Sequence, residues 1–150
     1  MKISTKGRYT LEAVVDLAYH SELALESLKN VADRLSISKN YLEQQFVLLR
    51  KIGIVESVRG PQGGYKLAKL PSEITVGEIL RAVEGNLSPV TCAETGECNQ
   101  PCGDYNLCVT KTVWQNMMLE INKVVDGITI EDLVKAYKDQ QTMDVIEYFI

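Results

Sequence analysis

The sequence predicts a mainly α-helical protein with one small β-hairpin, arranged as a winged helix-turn-helix domain followed by a long dimerisation helix. Three patterns predict this class: two short amphipathic segments separated by a tight turn, a Gly- and Pro-rich hairpin directly after them, and a long helix with an apolar stripe in the C-terminal half. A chain of 150 residues buries roughly two thirds of its unfolded surface, so a hydrophobic core suffices without a disulfide scaffold.

The helix-turn-helix is predicted from apolar residues that recur on one side of each helix. An opening helix presents Leu11, Val14, Val15 and Ala18. The next helix, capped by Ser27, presents Leu28, Val31, Ala32 and Leu35. After a tight turn at Ser36 and Ile37, Ser38 caps a third helix that presents Leu42, Phe46 and Leu49 and stops near Gly53.

A hairpin follows the third helix. The β-prone runs "IVESVRG" and "GYKLAKL" flank "GPQGG", which supplies the Gly and Pro of a hairpin loop. A hairpin placed directly after a turn-linked helix pair predicts a winged helix.

The C-terminal half contains three further helices and a long loop. Thr75 and Glu78 form a capping box for a helix that ends at Gly85, and residues 86–107 show no periodicity. The longest helix is predicted from about Thr110 to Asp126, with a stripe of Val113, Trp114, Met117, Ile121, Val124 and Val125. Its heptad-like spacing favours a helix of a second subunit as the cover, with burial inside one chain as the alternative. A final helix is capped at Thr129 and Asp132.

These elements divide the chain into a predicted winged helix-turn-helix DNA-binding domain (1–85), a cysteine-rich loop (86–109), and a C-terminal region that contains the dimerisation helix and the final helix (110–150). Charge follows the division: residues 1–70 contain 11 Lys and Arg against 7 Asp and Glu, and residues 71–150 contain 5 against 13. A basic front half suits a polyanionic partner. The polar start "MKISTKGRYT" and the lack of a long apolar run predict a cytoplasmic protein without a membrane partner.

Catalysis finds little support in the sequence. His20 is the only histidine, and no nucleophile, base and orienting group can be assembled around it. The segment "GPQGGY" lacks the Lys-Ser/Thr of a phosphate-binding loop and does not open a helix. We therefore expect a binding protein and not an enzyme.

The start of the third helix carries side chains suited to reading DNA. The residues that face outward are Asn40, Glu43 and Gln44, with Ser38, Lys39 and Tyr41 placed to reach the backbone. Amide groups pair bidentately with adenine, and a carboxylate accepts from the cytosine amino group. Arg59, at the tip of the wing, is the predicted minor-groove or phosphate contact.

All four cysteines lie within 17 residues, at Cys92, Cys98, Cys102 and Cys108. The gaps of five, three and five residues fit structural zinc poorly, because zinc sites use close Cys pairs. Iron-sulfur clusters accept looser spacing. A zinc ion and a redox-sensing disulfide both stay open on spacing alone.

Several motifs, in order along nearly the whole chain, resemble the bacterial iron-sulfur cluster regulator (IscR) family of winged-helix transcription regulators: "MKISTKGRY", "YLEQ", "VRGPQGGY", the cysteine loop and "CVTKTVW". The resemblance implies a homodimeric transcription factor that binds a double-stranded DNA operator and carries a 2Fe-2S cluster. It also implies control of cluster-biogenesis genes, commonly as a repressor.

The resemblance implies three cysteine ligands and a histidine three residues after the last. Cys92, Cys98 and Cys108 match by spacing and context, but the histidine position holds Lys111, a charged donor at neutral pH. Cys102 can supply a fourth thiolate or replace Cys98. An all-thiolate site carries more negative charge, which lowers the reduction potential and admits a 4Fe-4S cluster. Glu12 of the first helix is a remote further ligand.

Two other functions compete with a cluster-sensing regulator. A regulator of cysteine metabolism acts through a protein partner and needs no cluster. A redox enzyme or electron carrier uses the thiols without DNA, and the DNA-reading face argues against it.

Overall fold

A computed structural model of the protein describes residues 2–97 and 102–149, so Cys98 lies outside the described residues. The helices are α1 Thr5–His20, α2 Leu28–Leu35, α3 Lys39–Lys51, α4 Val76–Glu84, α5 Thr91–Thr95, α6 Lys111–Asp126 and α7 Ile130–Phe149. The strands are β1 Val55–Val58 and β2 Gly64–Leu67, which pair antiparallel. The predicted class, mainly α with one small hairpin, is confirmed.

The predicted helix caps are present. The Ser27 hydroxyl accepts from the Asn30 N–H at 3.1 Å, and the Ser38 hydroxyl accepts from the Tyr41 N–H at 3.4 Å. The capping boxes at Thr75 and Thr129 are closed in both directions by Glu78 and Asp132. Each cap fixes where a helix begins, and each contributes about 1 kcal/mol.

An isolated β-bridge, which the sequence pattern does not reveal, joins the wing to the loop before α2. In this bridge Glu26 and Tyr65 exchange backbone hydrogen bonds of 2.9 and 2.7 Å beside the two-stranded sheet. A Cβ at Gly64 would lie 2.7 Å from the Glu26 carbonyl oxygen, so this approach requires glycine. The bridge ties the wing to the helix-turn-helix.

The main core lies where the first three helices meet the hairpin and α7. Its largest fully buried side chains include Phe46, Leu17, Leu42, Leu49, Ile54, Ile74, Ile79 and Ile130. A smaller core forms where α4 meets α6, around Val76, Leu80 and Leu87 with Ile121 and Val125 against them. Helix α4 packs on both α1 and α6, so it contacts elements on both sides of the predicted domain boundaries. The boundaries at residues 85/86 and 109/110 stay a prediction.

One expectation about the C-terminal half needs adjustment. The sequence predicts no regular structure in the cysteine loop, but the loop contains α5 and a 3-10 turn at Tyr105–Leu107. Short helices of this kind escape detection because they complete only one turn and leave no periodicity. None of the helices in the described ranges combines the length and hydrophobicity needed to cross a bilayer.

Gln45 provides a stability prediction. Its side chain is 5% exposed, and Oε1 has no hydrogen-bond partner among the described residues. Because an unsatisfied buried polar group costs about 1–3 kcal/mol, we expect Gln45→Leu to raise the free energy of unfolding by about 1 kcal/mol. Urea unfolding at one fixed protein concentration measures it, with the exposed neighbour Gln44→Leu as the control. A less stable Gln45→Leu protein would contradict the prediction.

Candidate functional site

The N-terminal half of α3 presents a polar face to solvent. Leu42, Phe46 and Leu49 are fully buried on the opposite side, and this anchoring fixes the orientation of the helix. Lys39, Asn40 and Gln44 are exposed, and Ser38 lies at the cap. The predicted base-reading side chains therefore lie together on one accessible surface. Tyr41 is half-buried, and its ring packs edge-on against the ring of Tyr9, with 6.5 Å between the two ring centres.

Glu43 forms an ion pair with Lys39, which lies one helical turn earlier in α3. Its Oε1 lies 3.3 Å from Lys39 Nζ, and both side chains are about half exposed, at 47% and 54%. An exposed pair at this spacing contributes only about 0.3–0.5 kcal/mol. The Glu43 carboxylate and the Lys39 ammonium group can therefore separate at little cost, and both are accessible to a binding partner.

The wing places Arg59 at an exposed turn next to α3. Arg59 follows β1, and Gly60 adopts a φ of +117°, a conformation that favours glycine. Arg50 near the end of α3 donates to the Ser57 hydroxyl at 3.2 Å. This contact joins the wing to α3, and the bridge between Glu26 and Tyr65 joins it to the loop before α2.

A partly buried charge network, which sequence reasoning missed, joins α1 to α2 and to the segment before α2. Arg34 Nε and Nη2 donate to the Asp16 carboxylate at 2.9 and 2.7 Å, and Nη2 also donates to Glu26 at 3.1 Å. Asp16 is 8% exposed, so the pairing satisfies a charge that would otherwise be costly to bury. In the sequence, the acidic Asp16 lies at the centre of an apolar helix face, and this position could have indicated a buried charged partner.

The three described cysteines lie within the cysteine loop, on both sides of residues 98–101, which lie outside the described residues. Cys92 is half-buried on α5, Cys102 is exposed, and Cys108 is half-buried just before α6; all three are free thiols. Within residues 2–97 and 102–149, no group of three or more His, Cys, Asp or Glu side chains is placed to hold a metal ion. A ligand set would therefore include Cys98 or require the loop to rearrange.

The chemistry of the donors fits an iron-sulfur cluster. The Thr110 hydroxyl lies 3.4 Å from Cys108 Sγ, and hydrogen bonding from Thr110, with support from Lys111, lowers the pKa of the Cys108 thiol. Clusters bind thiolates, so this environment favours the ligating form. Cys102, with an exposed side chain, is accessible as a ligand.

Lys111 has other partners at the position where the resemblance implies histidine. Its Nζ lies 5.4 Å from the centre of the Tyr105 ring and 3.5 Å from the Asn106 carbonyl oxygen. Gln115 donates to the Tyr105 hydroxyl at 2.8 Å, and Trp114 Nε1 donates to the Thr110 hydroxyl at 3.2 Å. These contacts hold the end of the cysteine loop against the first turns of α6.

The long helix α6 is tied to α4 on one side and open on the other. Arg81 of α4 donates to Asp126 at 2.7 and 2.9 Å and to Asn122 at 2.7 Å, and the hydrogen bonds from Arg81 lower the pKa of Asp126. Within the described chain, α6 fully buries none of its side chains. Val113, Met117 and Val124 are 51%, 44% and 58% exposed along one stripe.

The chain matches one protein-family model and is similar to known transcriptional regulators. A family model described as Rrf2, an iron-dependent transcriptional regulator, matches residues 3–136. The HTH-type transcriptional regulator IscR of Aliivibrio salmonicida is 38% identical over 144 residues, which make up 96% of this chain and 83% of that protein.

Two solved structures are similar over most of their length. IscR of T. potens has a TM-score of 0.75 at 41% identity, and the match covers 94% of this chain and 91% of the chain in that structure. CymR, the global cysteine regulator of B. subtilis, has a TM-score of 0.76 at 37% identity and covers 91% of this chain and 98% of its own.

Proposed function

Because this chain belongs to the Rrf2 family of transcriptional regulators, we propose that it acts as a homodimer on a DNA operator and reports iron-sulfur status through a cluster in its cysteine loop. It is a regulator of transcription and not an enzyme. The observation that carries the DNA-binding part is the exposed polar face of α3 beside an exposed basic wing. The genes it controls are proposed to be those of cluster biogenesis.

In this proposal α3 enters the major groove. Asn40, Glu43 and Gln44 meet base edges, while Ser38, Lys39 and Tyr41 contact the sugar-phosphate backbone. Arg59 extends from the wing to the adjacent minor groove or phosphate. A dimer would place two such units on half-sites about one helical turn, ~34 Å, apart or a multiple of that distance.

The cysteine loop would hold the cluster through Cys92, Cys98, Cys102 and Cys108. A bound iron-sulfur cluster supplies a group whose assembly and oxidation state depend on iron supply and redox conditions. The residues of this chain do the rest: Thr110 stabilises the Cys108 thiolate, and the contacts of Lys111 and Trp114 join the loop to α6. Ligation changes DNA binding only if it favours one arrangement of α6 that also binds DNA differently.

A binding-site selection tests the DNA-binding part. Wild-type protein is incubated with a pool of randomised duplexes, and the retained DNA is sequenced. We expect a two-fold symmetric motif, and we expect Glu43→Ala to broaden it and lower the ratio of specific to non-specific affinity at fixed salt, because Glu43 penalises wrong bases. Arg59→Ala should weaken all sites and reduce the salt slope by about one.

Glu56→Ala is the matched control for Glu43→Ala. Glu56 is 50% exposed on the wing and pairs with Lys66 at 2.8 Å, so its loss removes the same charge from a comparable ion pair. We expect it to leave the motif unchanged. Equal broadening by both variants would show a general charge effect, and failure to enrich any motif would defeat the proposed function.

A second function is a cluster-free regulator of cysteine metabolism that acts with a protein partner. It is favoured by the structural similarity to the cysteine regulator of B. subtilis, at 37% identity. Anaerobic purification followed by iron and sulfide analysis separates the two. Stoichiometric iron and sulfide support the cluster, whereas metal-free protein that binds the selected DNA with full affinity supports the alternative.

A further inference from the structure

The last residue of α4 holds the first turn of α1. Glu84 Oε1 accepts hydrogen bonds from the Ser4 N–H at 3.0 Å, from the Gly7 N–H at 2.9 Å and from the Ser4 hydroxyl. The Ser4 hydroxyl, and then the backbone N–H groups, lower the pKa of Glu84. One carboxylate oxygen thus satisfies two of the backbone N–H groups that a helix start leaves unpaired. In the sequence, Ser4 lies 80 positions and Gly7 lies 77 positions before Glu84.

Gly7 is required for this close approach. The residue is buried on α1, and a Cβ there would overlap Glu84 Oε1. Glycine favours helix formation less than any other residue except proline. The hydrogen bond from the Gly7 N–H to the Glu84 carboxylate offsets this lower helix propensity. Glycine at position 7 therefore favours the contact with Glu84 more than it favours the helix itself.

The held turn of α1 lies against the start of the recognition helix. Tyr9 contacts Tyr41 of α3 edge-on, and burial, followed by the charge of Glu84, raises the pKa of the Tyr41 hydroxyl. Between the two helix starts lies a groove of about 360 Å³ whose surface is mostly apolar, although five of its six lining residues carry a hydroxyl group. It is lined by Thr5, Tyr9, Ser36, Ile37, Ser38 and Tyr41.

This groove continues the proposed DNA interface. Ser38 and Tyr41 already belong to the backbone-contacting end of α3, and Arg8 on α1 is exposed nearby in sequence. Hydroxyl and basic groups at the edge of a recognition helix suit a phosphodiester, which accepts hydrogen bonds and attracts positive charge. The α1 side of the groove keeps its position only while the first turn stays on α4.

We propose that Glu84 is a positioning residue for DNA binding: it fixes the first turn of α1 so that Thr5 and Tyr9 complete a phosphate-contacting groove with the start of α3. The inference rests on the proposed DNA interface. Glu84 acts through α1 and contacts no DNA itself, and its charge is already satisfied by Ser4 and Gly7.

The test compares Glu84→Ala with Glu84→Gln on the duplex selected by the wild-type protein. The alanine variant lacks the acceptor, and we expect about tenfold weaker binding, comparable to one charge-assisted hydrogen bond. Because Thr5 and Tyr9 are neutral hydroxyl donors that release no counterion, the slope of log K against log salt should stay unchanged while the affinity falls. Glutamine keeps an acceptor oxygen, and we expect it to restore the affinity.

The two variants separate positioning from other effects. A purely electrostatic role predicts tighter binding by both, because each removes a negative charge near DNA. A purely structural role lowers the active fraction, measured by stoichiometric titration, and leaves the affinity of the remaining active protein unchanged. Glu22→Ala, which removes a 54% exposed carboxylate just after the C-terminal end of α1, is the charge-matched control and should bind like wild type. Either of the first two patterns would overturn the proposal.

The single variant Gly7→Ala keeps the proposal testable if Glu84→Ala folds poorly, and a double-mutant cycle with Glu84→Ala adds a second test. Gly7→Ala should weaken DNA binding in the wild-type background, because its methyl group displaces Glu84, and it should have little effect once Glu84 is alanine. Additive losses of affinity would contradict the proposal. If Glu43→Ala and Arg59→Ala behave as expected while the Glu84 and Gly7 variants bind like wild type, this inference fails and the proposed function stands.

Discussion

Replacing Cys102 with alanine is expected to reduce the iron and sulfide content of anaerobically purified protein to a small fraction of the wild-type level. The physical reason is that Lys111, at the position where the IscR resemblance implies a histidine, is a protonated donor held by Tyr105 and Asn106. Cys102 is then the available fourth thiolate. Iron and sulfide analysis with visible absorbance measures the effect on the complete chain.

The double variant Cys102→Ala with Lys111→His is the decisive companion. If the position of residue 111 suits a ligand, the histidine should restore the cluster that Cys102→Ala loses, whereas Lys111→Ala alone should leave the wild-type content unchanged. Full iron and sulfide in the Cys102→Ala protein would show that Cys102 is a bystander. Loss of iron from Lys111→Ala would show that the lysine supports the site.

The winged helix was predictable because its signals are local. Ser27, Ser38, Thr75 and Thr129 cap helices at the positions where the sequence predicts helix starts. Such signals depend on hydrogen bonds between residues two to four positions apart, and propensity and spacing reveal them directly. For the same reason the outward face of α3 followed from the buried positions of Leu42, Phe46 and Leu49.

The features that the sequence did not reveal depend on partners distant along the chain. Glu84 is an ordinary helix-end carboxylate until α1 and α4 are packed together, and the pairing of Glu26 with Tyr65 exists only once the wing has folded back. The sequence predicts the stripe on α6 as one apolar surface, but Ile121 and Val125 pack on α4 while Val113, Met117 and Val124 remain exposed. Periodicity identifies an apolar face and does not say which neighbour covers each part of it.

The exposed part of this stripe leads to the prediction with the largest effect on DNA binding. We expect Met117→Glu combined with Val124→Glu to convert the protein from a dimer to a monomer, because burying carboxylates at a helix-helix contact is strongly unfavourable. Linked half-site binding gives up to about 10²–10⁴-fold in affinity over a single site, so the affinity of the monomer should fall by a factor on the order of 10² or more. Sedimentation velocity measures the oligomeric state and fluorescence anisotropy the affinity.

Leu119→Glu is the matched control on the same helix. Leu119 is 60% exposed and lies two positions after Met117, which places it on nearly the opposite side of α6. We expect this variant to remain dimeric and to bind DNA normally. If it dissociates while the Met117 and Val124 variant stays dimeric, the subunits meet on the other side of α6. If both variants stay dimeric, α6 is not the dimerisation helix, and the coupling proposed between the cysteine loop and DNA would have to use the contact of α4 with α6 through Arg81 and Asp126 within a single chain.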